Sequence, residues 1–176
     1  MKHALLVSYA AILLLLNSCT PAREKDLARI KASEDSLRAD TSKVFNKTLA
    51  DKNVKLYLDF ADKYPSDTAA PVMLFRAGQL SGSLHRPSET IDIYKRILEK
   101  YPSFEKDTIC LFMMGFTYET QLKDIEKARK AYSDFLEKYP GHHLARDVKF
   151  SLDNLGKSDE EIIRMFEEKN KTEAKN

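Results

Sequence analysis

Tyr57-Leu58-Asp59-Phe60-Ala61-Asp62-Lys63-Tyr64-Pro65 is matched 37 residues on by Tyr94-Lys95-Arg96-Ile97-Leu98-Glu99-Lys100-Tyr101-Pro102. A third copy follows after a further 38 residues, Tyr132-Ser133-Asp134-Phe135-Leu136-Glu137-Lys138-Tyr139-Pro140. Within each run, apolar side chains three, four and seven positions apart lie along one stripe of a helix. The proline ends the helix, because it lacks an N–H and forces the tyrosine before it out of the α region. A period of this length is the mark of stacked supersecondary units.

A second helical run follows each Tyr-Pro. Thirteen residues beyond Pro65 and Pro102 stand Gly78 and Gly115, preceded by Leu74/Ala77 and by Leu111/Met114. Residues that small let two helices approach closely. These positions resemble the tetratricopeptide pattern, Trp-x2-Leu-Gly-x2-Tyr, then Ala-x3-Phe, then Pro, with Trp absent throughout. In the first full unit the counterparts are Leu74, Ala77, Gly78, Ser81, Thr90, Tyr94, Ile97 and Pro102. In the second they are Leu111, Met114, Gly115, Tyr118, Ala128, Tyr132, Phe135 and Pro140, with one extra residue between the helices around Gln121 to Ile125. The fold expected is all-α, an α-α superhelix built as a tetratricopeptide-like solenoid of about eight helices.

The flanks fit that plan. After Pro140, Leu144 to Leu155 reads as the first helix of an incomplete third unit, with Gly156 as its stop. Ser158 and Glu161 then form a Ser-x-x-Glu capping box ahead of Ile162, Ile163, Met165 and Phe166. At the other end Ser42 to Lys63 reads as one long helix. Before it, Arg23 to Ala39 spaces Leu27, Ile30 and Leu37 as a thin amphipathic stripe, which fits either a solvated tether or a segment folded back on the first repeat. The resulting organisation is a signal peptide over 1–18, a lipidated N-terminus and tether helix over 19–41, a repeat domain over 42–169 and a disordered tail over 170–176.

The N-terminus reads as an address. Ala4 to Leu16 is an uncharged run of thirteen residues, long enough for the h-region of a signal peptide and short of the roughly 20 that a membrane-spanning helix needs. Leu16-Asn17-Ser18-Cys19 resembles the lipobox of bacterial lipoproteins, in which cleavage before the cysteine leaves it N-terminal and diacylated. If Cys19 carries lipid, Cys110 has no intramolecular disulfide partner, and flanked by Ile109, Leu111 and Phe112 it reads as a small core hydrophobe. Repeat cadence and lipobox together resemble the tetratricopeptide-repeat outer-membrane lipoproteins of Gram-negative bacteria, the BamD-like and CpoB-like repeat family. That resemblance implies outer-membrane sorting, with Thr20 rather than Asp after the cysteine. It also implies a periplasm-facing chain that binds an envelope protein or peptide segment and has no cofactor beyond the lipid.

Composition narrows the chemistry. With 29 basic and 27 acidic residues the net charge is +2, without the basic excess of a nucleic-acid binder. Five glycines, against about twelve at average usage, disfavour phosphate loops and hairpin-rich folds. No nucleophile elbow, P-loop or dinucleotide fingerprint occurs, and His142-His143 has no partners at metal-ligand spacing. The chain is therefore expected to be no enzyme, with no small-molecule substrate and no metal.

One constellation reads as a working surface. Ten residues after each Tyr-Pro proline stand Phe75, Phe112 and Phe150, and one turn further on Gln79, Phe116 and Asn154. In tetratricopeptide proteins that position faces the concave groove, so the six are candidates for binding a partner segment through aromatic anchors and amide donors. The same rings also fit a core. Two functional classes follow: an adaptor that holds another envelope protein in the groove, or a structural module that assembles with itself and has no dedicated peptide ligand.

Overall fold

A computed structural model describes residues 20–40 and 45–173. The expected signal peptide over 1–18, Cys19, residues 41–44 and the last three residues of the expected tail, 174–176, lie outside them. Among the described residues the chain is all-α: α1 (Thr20–Ala39), α2 (Lys47–Lys63), α3 (Ala70–Ser83), α4 (Pro87–Lys100), α5 (Asp107–Thr117), α6 (Ile125–Lys138), α7 (Ala145–Asn154) and α8 (Asp159–Glu173). A π-helical turn, Tyr118–Leu122, continues α5. The chain forms two compact units, one up to Met73 and one from Leu74.

In the first unit α1 lies against α2 rather than standing free as a tether. Ile30 and Ser33 are buried in the seam, and polar bonds lace its length. The Tyr57 hydroxyl donates to Glu34 at 2.7 Å, and Lys63 and the Tyr64 hydroxyl both donate to Asp26, at 2.7 and 3.0 Å. Arg23 grips Asp67 through Nε and Nη2. Arg23 and Lys63 hold the carboxyls of Asp67 and Asp26 below their ordinary range. Helix α2 starts at Lys47, not at Ser42, because the Asn46 side chain accepts the Leu49 N–H at 3.0 Å and caps it there.

The Tyr-Pro device is the same at all three places. Tyr64, Tyr101 and Tyr139 each cap a helix with φ between −128° and −132° and ψ between 51° and 61°. Each N–H still closes the last helical turn, on Phe60, Ile97 or Phe135. The tyrosine carbonyl then accepts from the residue three further on, Asp67, Phe104 or His142. One sequence signal therefore yields one turn, repeated.

In the second unit α4, α5, α6 and α7 pack in series. The glycines do what their size suggests: a Cβ on Gly78 would come within 2.6 Å of the Tyr94 ring, and one on Gly115 within 2.5 Å of the Tyr132 ring. Both tyrosines are fully buried. Each unit also pairs the ring on its first helix with one on its second: Phe75 with Tyr94 at 6.2 Å, Phe112 with Tyr132 at 6.2 Å and Phe150 with Phe166 at 6.1 Å. The third unit ends as its sequence implies. Gly156 takes φ +84°, and Ser158 and Glu161 close a reciprocal capping box. Helix α8 runs on to Glu173, past Asn170, where composition implied a frayed end.

Candidate functional site

Two loops of the second unit build a cleft. The link between α3 and α4 turns through His85 at φ 57°, and the Arg86 N–H closes it on the Ser81 carbonyl at 3.0 Å. The equivalent stretch between α5 and α6, Tyr118 to Asp124, holds one residue more than Ser81 to Arg86. It absorbs the insertion by winding Tyr118–Leu122 as a π turn, passing through Lys123 at φ 55° and closing the Asp124 N–H on the Tyr118 carbonyl at 2.9 Å. Widened turns of this kind re-aim side chains and are frequent at working surfaces.

The widened turn brings Thr120 and Gln121 beside Phe116, His85 and Pro87, around a cleft of about 510 Å³. Phe116 is 42% exposed, an apolar ring offered to solvent and backed by Phe112 at 6.4 Å. The Gln121 amide donates to the Gly82 carbonyl at 3.3 Å, which ties the two loops together. Its carbonyl oxygen is buried with no partner among the described residues. The Thr120 hydroxyl is already engaged with the Phe116 carbonyl at 2.7 Å. The cleft thus offers an exposed aromatic ring and, on its rim, the exposed His85 side chain.

The six groove candidates separate. Phe75 is 8% exposed, packed edge-on against Phe104 and tilted against Tyr94, so it is core and not groove. Phe112 is half-buried behind Phe116, Gln79 is exposed on α3, and Phe150 is 46% exposed on α7. Asn154 is half-buried, and its amide is spent locally: Nδ2 donates to the Phe150 carbonyl at 2.8 Å and Oδ1 accepts from Lys157 at 3.1 Å. Of the six only Phe116 lines the cleft. His85, Pro87, Thr120 and Gln121 were missed, and the signal for them was the extra residue near Gln121.

The remaining chemistry-bearing groups are structural. His142 accepts the Leu144 N–H on Nδ1 and lies edge-on to Phe135. Cys110 is buried, and burial, with the Asp107 charge behind it, pushes its thiol up to about 12. The Tyr139 hydroxyl donates to Asp107, which together with burial raises the phenol to about 12. Tyr132 is raised further, by burial first and by its bond to Glu119 second.

Comparison with protein families matches residues 110–142 to the tetratricopeptide repeat. The matched stretch contains Gly115, the π turn, all of α6 and the Tyr139-Pro140 stop. No curated protein matches the chain. The match covers one repeat of the chain, and the all-α series of packed helices around it is consistent with a tetratricopeptide-like superhelix.

Proposed function

We propose that the chain is a non-catalytic adaptor of the Gram-negative envelope that holds a segment of another envelope protein in the Phe116 cleft. In this reading a lipid on Cys19 anchors it in the outer membrane facing the periplasm, in the service of outer-membrane protein assembly or of envelope and division coordination. The observation that carries the binding role is the exposed Phe116 ring in a cleft that the exposed His85 also lines. An apolar side chain of a partner would cover the ring while the polar rim of the cleft, with His85 exposed on it, sets its orientation, the usual division between affinity and orientation in a peptide site. Support for the anchor is the sequence Leu16-Asn17-Ser18-Cys19 behind an uncharged run.

Two experiments test the reading. A photo-crosslinking residue at Thr120 of the full chain should give one discrete adduct in cells, while the same probe at Lys95 on α4 should not. Cys19→Ala should abolish fatty-acid incorporation and release the protein from the membrane fraction. Equal labelling from both probe positions would remove the cleft assignment, and a Cys19→Ala chain that stays membrane-bound would remove the anchor.

A further inference from the structure

We propose that the open end of the last unit, centred on α8, is an antiparallel docking surface for a second copy of this chain. The repeat itself shows what that face is for. Counted from the residue before each helix, Arg86 for α4 and Ser158 for α8, Phe166 occupies the place of Tyr94, and Glu160, Ile163, Arg164 and Glu167 occupy those of Ser88, Ile91, Asp92 and Lys95. On α4 those four residues look toward the following unit, forming a cleft wall opposite Tyr118, Leu122, Asp124 and Lys127. Tyr94 is fully buried and Ile91 nearly so. Their counterparts are left open: Phe166 is 51% and Ile163 59% exposed, and Phe150, stacked on Phe166, extends the apolar surface. Among the described residues no helix follows α8 to cover it.

The charges on this face select the occupant. Glu160, Arg164, Glu167 and Lys171 fall at i, i+4, i+7 and i+11, one stripe of a helix, in the order minus, plus, minus, plus. All four are exposed. Laid antiparallel on its own copy, that order sets Glu160 against Lys171 and Arg164 against Glu167, each twice, whereas a parallel pairing sets like charge on like. Such two-fold self-complementarity is what an isologous dimer requires. Stacking this face on α1 of another copy instead gives no such order, because the exposed side of α1 mixes Ala28, Ala32 and Ser36 with charges already paired on the helix, Lys31 and Arg38 on Asp35. The inference uses a face separate from the Phe116 cleft and stands whether or not that cleft binds a partner.

The full chain in detergent, weighed by light scattering, should have the mass of a dimer. Arg164→Glu should weaken association at least tenfold, since it faces Glu167 of the copy. Combining it with Glu167→Arg should restore the dimer, although that exchange puts like charges four apart within each helix. The restoration therefore separates pairing between copies from bridges within α8. A monomer at all concentrations, a dimer indifferent to Arg164→Glu, a pair not restored by the exchange, or occupancy of the face by a different protein would each overturn the proposal.

Discussion

Gly115 lies beneath the ring of Tyr132 so closely that a methyl group there would sit 2.5 Å from Cε1. The tyrosine is fully buried and its hydroxyl donates to Glu119 at 2.7 Å, so the ring has little freedom to yield. Gly115→Ala should therefore lower stability by about 1–3 kcal/mol, the usual cost of overpacking, despite the roughly 1 kcal/mol that alanine gains over glycine in helix propensity. Thermal unfolding of the variant checks it, and a raised melting temperature would contradict the contact.

Phe75 and Phe150, at the same repeat position, should separate in stability as they do in burial. Phe75→Ala, in the core, should cost about 3–5 kcal/mol. Phe150→Ala, about half exposed, should cost under about 1 kcal/mol by the same denaturant titration. Equal losses would mean that the end of the chain is as closed as its middle.

This grading explains where sequence reading succeeded and where it stopped. Tyr-Pro and the small residues Gly78 and Gly115 were legible because each acts locally, through a fixed φ or a missing Cβ. Phe75, Phe112 and Phe150 stand at one repeat position, yet their exposure depends on what is stacked beyond them, which no single residue encodes. The pairing of α1 with α2 was hidden by its thin stripe, since Asp26, Glu34 and Arg23 look like surface charges until Lys63, Tyr57 and Asp67 are opposite them. The extra residue near Gln121 was visible, but not that it would be wound into a π turn.

Acid should loosen the first unit. Asp67 and Asp26 ionise more readily when folded than their ordinary value of 3.8, so the unfolded chain takes up protons first as pH falls. The stability these bonds contribute is complete above about pH 5 and is lost as pH drops through 3.8 and on through the lower folded values. Asp67→Asn should lower stability at pH 7 and flatten the acid limb of the stability curve, as measured by denaturant midpoints against pH.

Cys110 should be chemically silent until the second unit opens. Its thiol is buried and pushed up to about 12, so iodoacetamide at pH 8 should label it only under denaturing conditions. Because the folded thiol stays protonated while the unfolded one ionises above about 9, its burial favours folding less as pH rises past that point. Rapid labelling of the native chain would place Cys110 at the surface.

The central claim is that Phe116 is a binding residue and not a structural one. The most direct test places the photo-crosslinking residue at Thr120 in a full chain that also carries Phe116→Ser. The account predicts thermal stability within about 1 kcal/mol of the parent, as for a surface change, together with loss of the discrete adduct that the parent probe forms. An undiminished adduct, or a collapse of stability accompanying its loss, would contradict it.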